Sequence, residues 1–268
     1  MKKTLLLIVC LGIFFSCEDV IDVDLNEGKP RLVIDAEIVK GYESNTSIAR
    51  VKLSTTVPFF DSEINPVNNA TVTITDQNGM VYTLENSSNG FYSYQDIDPQ
   101  PNTDYTLEVI YNNETYTATE QLQPVVPLEF VEQRNDGGFD GETIELKAFF
   151  TDPADEQNNY FFEGISSKGN VYDTFNDKFF NGNSIFGLYV NEDIEPGDSV
   201  TFYLYGVDEQ FYNYMFILLQ QGSDDTGGPF ETQPATVRGN IINETTPENY
   251  PFGYFRISET SILSYTVQ

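Results

Sequence analysis

The chain has 268 residues, with 42 acidic residues against 13 basic ones and a formal net charge of −29. Such a composition lacks the basic footprint of non-specific nucleic-acid binding, so no nucleic-acid partner is expected. With no histidine and two cysteines, neither a histidine-based triad nor a usual zinc ligand set can be built. A carboxylate pair, a Ser–Lys arrangement or a Tyr nucleophile remains open, but no spacing singles out any of them, so we predict no catalytic residues, no metal site, no cofactor and no enzymatic activity.

Residues 1–16 have the form of a lipoprotein signal peptide. Two lysines precede the uncharged run TLLLIVCLGIFF, which is too short for a membrane-spanning helix of about 20 apolar residues. Ser16 before Cys17 fits cleavage before a lipidated cysteine, and Cys10 would leave with the signal, so no disulfide remains possible. We predict that acylated Cys17 anchors the protein in the outer-membrane lipid bilayer. The alternative is an ordinary secretory signal with an incidental cysteine.

Residues 17–28 are predicted to be an acidic tether, because a charged linker repels itself and extends. Five carboxylates follow the cysteine within eleven residues. This run resembles the export signal of Bacteroidota surface lipoproteins, which sends the protein to the outer face of the outer membrane. Glu18, Asp19 and Asp22 are therefore the predicted export signal, and the predicted location is a lipid-anchored one that faces the cell exterior. The alternative is a solvated tether without an export role.

The segment 29–122 is predicted to be an N-terminal β-sandwich. PRLVIDAEIV, residues 30–39, alternates between apolar residues and others, which is the pattern of a half-buried strand. Asn-Gly pairs at 78–79 and 89–90 predict hairpin turns. Strands that recur about every ten residues, with turn signals between them, are typical of a sandwich.

The second half of the chain is also predicted to be rich in strands. QPVVPLEF contains two prolines, which indicates a stiff linker at 123–128. In the domain 129–268 that follows, the predicted strands are ETIELKAFFTD, NYFFEGISS, SIFGLYV, SVTFYLYGVD, TVRGNII and FGYFRISETSILSYTV. The predicted fold class is therefore mainly β, with two β-sandwich-like domains and one substantial helix in the second.

That helix is predicted near 208–221. One of its faces repeats at helical spacing, through Phe211, Tyr214, Met215 and Leu218. Asp208 is placed to cap the N-terminus, and Gly222 is placed just after the C-terminus. The face is expected to pack on a sheet. A groove for a partner is the alternative.

The loops at 136–142 and 152–159 are rich in possible oxygen ligands. Calcium is conceivable at both, but neither has the spacing of an EF-hand loop. Solvated turns are the prediction.

Several segments together resemble one family over essentially the whole mature chain, in family order. They are CEDVIDVDL, PRLVIDAEI, NNATVTITDQNG, DPADEQNNYFF, PFETQPATVRGNI and FGYFRIS. They look like domain-of-unknown-function family 4249 (DUF4249), whose members are Bacteroidota outer-membrane lipoproteins, often encoded beside a TonB-dependent transporter. The resemblance implies a transthyretin-like, carboxypeptidase-regulatory-like N-terminal region. Residues that match the family's motif are expected to be structural, with glycines at turns or close backbone contacts: Pro234, Gly239, Asn240, Gly253 and Tyr254.

Three functions are compatible with these patterns. The first is a non-catalytic accessory or binding subunit at the cell surface, working with a TonB-dependent β-barrel transporter. The second is a glycan- or peptide-binding lipoprotein that acts alone, with tyrosines and phenylalanines stacking on its ligand. The third, more remote, is a hydrolase that uses two facing carboxylates.

Overall fold

The computed structural model of the chain describes residues 28–44, 46–58, 63–138, 141–222 and 236–268. It is mainly β with a single α-helix and one short 3-10 helix (Asp177–Phe179) in this described part, which confirms the predicted fold class. The strands of the first half are β1 (Leu32–Gly41), β2 (Ser47–Thr55), β3 (Asn65–Pro66), β4 (Thr71–Asp76), β5 (Val81–Thr83), β6 (Glu85–Ser88), β7 (Phe91–Gln95), β8 (Tyr105–Tyr111) and β9 (Glu114–Glu120). Those of the second half are β10 (Phe130–Gly137), β11 (Thr143–Thr151), β12 (Asn159–Ser166), β13 (Gly169–Asn176), β14 (Ser184–Val190), β15 (Ser199–Val207), β16 (Ile242–Asn243) and β17 (Phe252–Thr266). The helix, α1, is Glu209–Gly222.

The strands form three sheets, and the longest is shared by both halves of the chain. Its order is β13-β12-β15-β17-β1-β2-β7-β6, with β3 beside β2. A five-stranded sheet, β16-β9-β8-β4-β5, covers one part of it, and a three-stranded sheet, β10-β11-β14, covers another. Each covering sheet encloses a core against the long sheet.

The two cores differ in composition. The first is mostly aliphatic, with Ile34 and Leu53 of the long sheet packed against Ile74 and Leu107 of the five-stranded sheet. The second is mostly aromatic, and its largest members are Phe150, Tyr160, Phe162, Tyr189 and Phe202. Burial of these side chains is the main stabilising contribution in each half.

Strand β17 joins the two halves. It runs parallel to β1 and antiparallel to β15. Its residues Phe255 and Ile257 lie in the aliphatic core, together with Ile241. The predicted linker at 123–128 would place all of β17 in the second domain. In the structure, β17 pairs directly with β1, the first strand of the predicted N-terminal domain.

The predicted local elements agree with the structure in most places. The pair Asn89–Gly90 turns β6 into β7 with positive φ angles of 50° and 77°, and the pair at 78–79 lies between β4 and β5. Both hairpin predictions are therefore confirmed. Strands β10 and β13 were not predicted, because their exposed sides are polar and weaken the alternation. In TVRGNII the structure has only the two-residue strand β16.

Helix α1 begins as predicted. Asp208 caps it, since its Oδ1 accepts a hydrogen bond from the Phe211 backbone nitrogen at 2.5 Å. Gly222 is the last helical residue and not the residue after the helix. The buried Phe211 ring packs against Phe161, at 5.7 Å between centroids, so the helix lies on the long sheet as predicted. Along the part of the chain that the structure describes, no helix has both the length and the apolarity needed to cross a membrane.

Candidate functional site

An open groove of about 930 Å³ lies between α1 and the long sheet. Side chains alternate across a strand, so the residues between the buried positions of β1 point to the groove. Ile34, Ala36 and Ile38 are in the core, whereas Asp35 and Glu37 line the groove. One face of the shared sheet thus supports the cores, and the other supports this groove.

A row of charges crosses the groove floor on three neighbouring strands. Glu37 lies opposite Arg256 of β17 and opposite Arg50 of β2. Each of its carboxylate oxygens pairs with one guanidinium at 2.5 Å, Oε2 with Arg256 and Oε1 with Arg50. Burial, the largest single cause, lowers the pKa of Arg256, but the charges of Glu37, Tyr205, Glu163 and Asp35 together outweigh burial and the pKa is raised. Arg256 is therefore a permanent positive charge in the floor.

Aromatic rings enclose that charge. The Arg256 guanidinium lies 4.3 Å from the ring centroid of Tyr205, 5.5 Å from Phe211 and 5.8 Å from Phe161. These are cation–π distances. Rings and ion pairs together hold the arginine in one position.

Two further carboxyl groups face the groove with raised pKa values. Burial raises the pKa of Glu163, whose Oε2 accepts a hydrogen bond from the Tyr205 hydroxyl at 3.1 Å. The Asp35 side chain is open to solvent in the groove, yet the surrounding protein and the charge of Glu37 raise its pKa. Each carboxyl can accept hydrogen bonds when ionised and donate one when protonated, so both suit a polar ligand.

The outer part of the groove offers a cation and an aromatic platform. Lys52 Nζ lies 5.2 Å from the ring centroid of Phe91, and among the described residues no carboxylate is within salt-bridge distance of it. Tyr172 is 42% exposed and stacks in parallel on Phe161, with centroids 6.2 Å apart. These groups remain accessible to a bound molecule.

The motif residues lie where the chain returns to β1. The Asn240 side chain bonds both backbone groups of Phe255, accepting from its nitrogen at 2.9 Å and donating to its oxygen at 2.8 Å. A Cβ at Gly239 would lie 1.7 Å from the Gly253 oxygen, and one at Gly253 would lie 1.9 Å from the oxygen of Ile34. The expectation of close backbone contacts at these glycines is confirmed. Pro234 lies outside the described residues.

Next to this motif, two carboxyl groups meet at the start of α1. Glu120 accepts a hydrogen bond from Asn240 at 2.6 Å. Asp208, the helix cap, accepts one from the Tyr254 hydroxyl at 3.4 Å. Burial and then the charge of Asp208 raise the pKa of Glu120 to about 8. Glu120 therefore binds a proton around neutral pH, which limits repulsion between the two groups.

The site residues predicted from sequence lie elsewhere. Cys17, Glu18, Asp19 and Asp22 are outside the described residues, so lipidation and export stay predictions. In the loop 152–159, Asp152 is buried and accepts a hydrogen bond from the Tyr160 hydroxyl at 2.7 Å, so it serves the fold. Within the described ranges, no three or more acidic, histidine or cysteine residues are grouped to hold a metal ion.

The groove residues were not identified from the sequence. Their signal was present in the charged positions of VIDAEIV, ARVKL and YFRIS, which alternate with apolar residues that face the core. Only the pairing of β17 with β1, between segments at opposite ends of the chain, brings those charges together.

Comparison with known proteins identifies a family. Residues 18–262 match the model described as "Domain of unknown function (DUF4249)". No curated protein matches the chain. Among solved structures, a two-domain fibronectin type-III segment of chicken tenascin is 13% identical, over 67% of this chain and 91% of that one, with a TM-score of 0.20. The chicken interferon gamma receptor alpha chain is 11% identical, over 67% and 89%, with a TM-score of 0.17. Likenesses this low support no argument.

Proposed function

We propose that this chain, which belongs to the DUF4249 family, is a lipid-anchored, surface-exposed outer-membrane protein that binds a ligand in the groove. It acts as a non-catalytic accessory subunit of a TonB-dependent transporter. The observation that carries the proposal is the groove itself. Its volume of about 930 Å³ and its mixture of aromatic and charged walls are typical of ligand-binding sites.

The groove favours binding over hydrolysis. A glycosidase needs two carboxyl groups about 5–9.5 Å apart, with one free to act as base or nucleophile. Both oxygens of Glu37 are taken by guanidinium groups. Asp35 and Glu163 lie on β1 and β12, with β17 and β15 between them, so their backbones are about 14 Å apart at the usual strand spacing.

The location and the partner rest on the sequence. Cys17 and the carboxylates after it support a lipid anchor with a surface-export signal, and three acyl chains give durable anchoring. Family resemblance supports work beside a TonB-dependent transporter. An accessory protein of this kind would present its groove to ligands before they enter the barrel.

One observation favours the second candidate, a glycan- or peptide-binding protein that acts alone. The exposed ring of Tyr172, stacked on Phe161, and the ring of Phe91 beneath Lys52 offer flat apolar surfaces beside charges. Sugar rings and peptide side chains both fit such surfaces. In this case the same groove binds the ligand without a barrel.

Affinity purification of the lipidated protein from detergent-solubilised outer membranes separates the two candidates. We expect a β-barrel transporter to co-purify with it. Recovery of the protein alone would contradict the partnership and leave only the second candidate.

Binding by the groove is tested on glycan and peptide arrays. The wild-type protein is compared with the double variant Lys52→Gln/Tyr172→Ser and with Phe186→Ser. Phe186 is 37% exposed and belongs to β14 of the three-stranded sheet, away from the groove. We expect ligands that the wild type and the control bind and that the groove variant loses. Equal binding by all three proteins would contradict a role for the groove.

A further inference from the structure

Basic residues are few in this acidic protein, and most of them are paired. Of the lysines and arginines in the described ranges, seven lie within 4.0 Å of a carboxylate: Lys40, Arg50, Arg134, Lys147, Lys168, Lys178 and Arg256. Besides Lys52 in the groove, the three without such a pair are Lys29, Arg31 and Arg238. These three, which we name the basic patch, have no carboxylate within 4.0 Å among the residues that the structure describes.

The structure brings the basic patch together at the start of β1. The guanidinium of Arg31 lies 3.9 Å from the ring centroid of Tyr250, and that of Arg238 lies 3.5 Å from the same centroid. Arg31 also donates to the backbone oxygens of Glu248 at 3.1 Å and Tyr250 at 3.0 Å. Lys29 precedes Arg31 by two residues. One tyrosine ring thus contacts two positive charges.

Among the described residues, the nearby carboxylates form no ion pair with the basic patch. Glu248 is exposed and its side chain forms no ion pair with either arginine. Glu114 is engaged by the hydroxyl of Tyr116 at 2.6 Å and by the amide of Asn249 at 2.7 Å. No carboxylate of the described ranges therefore competes with an external anion for these cations.

An exposed apolar residue lies at the same end of the sheet. Arg31 and Thr56 are joined by two hydrogen bonds of 2.9 Å, and the neighbouring Thr55 pairs with Asn65. Ile64, next in the chain, is 61% exposed. Cations beside an exposed aliphatic side chain are the combination found on surfaces that lie against lipid headgroups.

We propose that the basic patch is the surface that faces the membrane and binds the phosphate groups of lipid headgroups. This inference rests on the anchoring in the proposed function. The tether 17–28 joins β1 at this end, and twelve residues reach at most about 40 Å, so this end lies nearest the anchor. The mature chain has a formal charge of −31 once the two lysines of residues 1–16 are removed, and an anionic membrane repels such a body. Cations near an anionic surface are attracted to it, so the patch orients the body with this end toward the membrane.

The test uses the chain from Cys17 onward, coupled through its single cysteine to a maleimide lipid in vesicles. Because the protein has no tryptophan, one introduced tryptophan is a unique energy donor to dansyl groups on the headgroups. Pro247→Trp places the donor beside the patch. Thr266→Trp places it at the far end of β17, about 46 Å from Phe252 at the usual rise per residue.

We expect energy transfer from the Pro247→Trp donor to rise roughly twofold when one third of a phosphatidylcholine vesicle is replaced by phosphatidylglycerol. Molar salt should abolish the rise, because it screens the charges. The Thr266→Trp donor should show no rise. Adding Arg31→Gln and Arg238→Gln should remove the effect, whereas the matched pair Lys168→Gln and Lys178→Gln should keep it.

Equal transfer in both kinds of vesicle would overturn the proposal. An equal loss of the rise in energy transfer in the two double variants would also overturn it, because net charge and not the basic patch would then be the cause. Circular dichroism of each variant checks that the fold is intact. The maleimide anchor needs neither native lipidation nor a transporter, so failure here is distinct from failure of the proposed function.

Discussion

The two faces of β1 and β17 differ in what they require from neighbouring strands. On the core face, Ile34 and Phe255 are fully buried among apolar side chains, and any neighbour of suitable size and shape can cover them. On the groove face, Glu37 needs Arg256 and Arg50 directly opposite. The difference teaches that burial alone holds the core face, whereas the groove face depends on the register between distant segments.

The largest effect is expected on the core face. Phe255→Ala should lower the free energy of unfolding by about 3–5 kcal/mol, because it removes a fully buried ring. Ile262→Ala on the same strand, at a position 56% exposed, should change it by less than about 0.5 kcal/mol. Denaturant unfolding measures both. Similar losses at the two positions would remove the distinction between the faces of β17.

A smaller loss is expected on the groove face. Arg256→Met should lower the free energy of unfolding by roughly 2–4 kcal/mol, because it leaves the half-buried Glu37 with only the more exposed Arg50 as partner. The double variant Arg256→Met/Glu37→Met should recover part of the loss, since no carboxylate is then stranded. If the single and double variants had the same free energy of unfolding in denaturant, the loss would not come from a stranded Glu37 carboxylate, and the charge row would not depend on its register.

At the start of α1, where Glu120 lies beside Asp208, the free energy of unfolding should depend on pH. The pKa of Glu120 is raised from 4.5 to about 8 in the fold, so its stabilising contribution is complete below about pH 4.5 and is lost as the pH rises through about 8. Glu120→Gln cannot ionise beside Asp208. It should match the wild type at pH 5 and exceed it by about 1–3 kcal/mol at pH 9.

Thermal unfolding across this pH range is the measurement, and Glu114→Gln is its control. The hydrogen bond from the Tyr116 hydroxyl lowers the pKa of Glu114. Its contribution is present above pH 4.5 and lost as the pH falls below that value, which is the opposite trend. A Glu120→Gln protein that follows the wild type at every pH would contradict the assignment.

The smallest effect on stability is expected at Lys52. It forms no ion pair among the described residues, so Lys52→Gln should change the free energy of unfolding by less than about 0.5 kcal/mol. Its charge nevertheless opposes the upward shift of the Asp35 pKa, so the variant should raise that pKa further. Carboxyl titration by NMR tests this, with Lys40→Gln as the control that should leave Asp35 unchanged.

Local features of the fold were predictable because their causes lie within a few residues. The alternation of β1, the hairpin at 89–90 and the Asp208 cap all depend on neighbours in sequence. The groove was not predictable in this way. Arg256 and Glu37 are 219 positions apart, and the sequence of neither segment indicates that the two strands pair. The same reason explains why the return of β17 to the first sandwich was missed.

The pairing of β1 with β17 also bears on when the protein can fold. A contact between segments this distant gives the fold a high contact order, and such topologies fold slowly because a long loop must close first. The central strands of the long sheet cannot all be in place until the last residues of the chain are available. We therefore expect a chain shortened before residue 252 to expose the edge of β1 and to aggregate during expression.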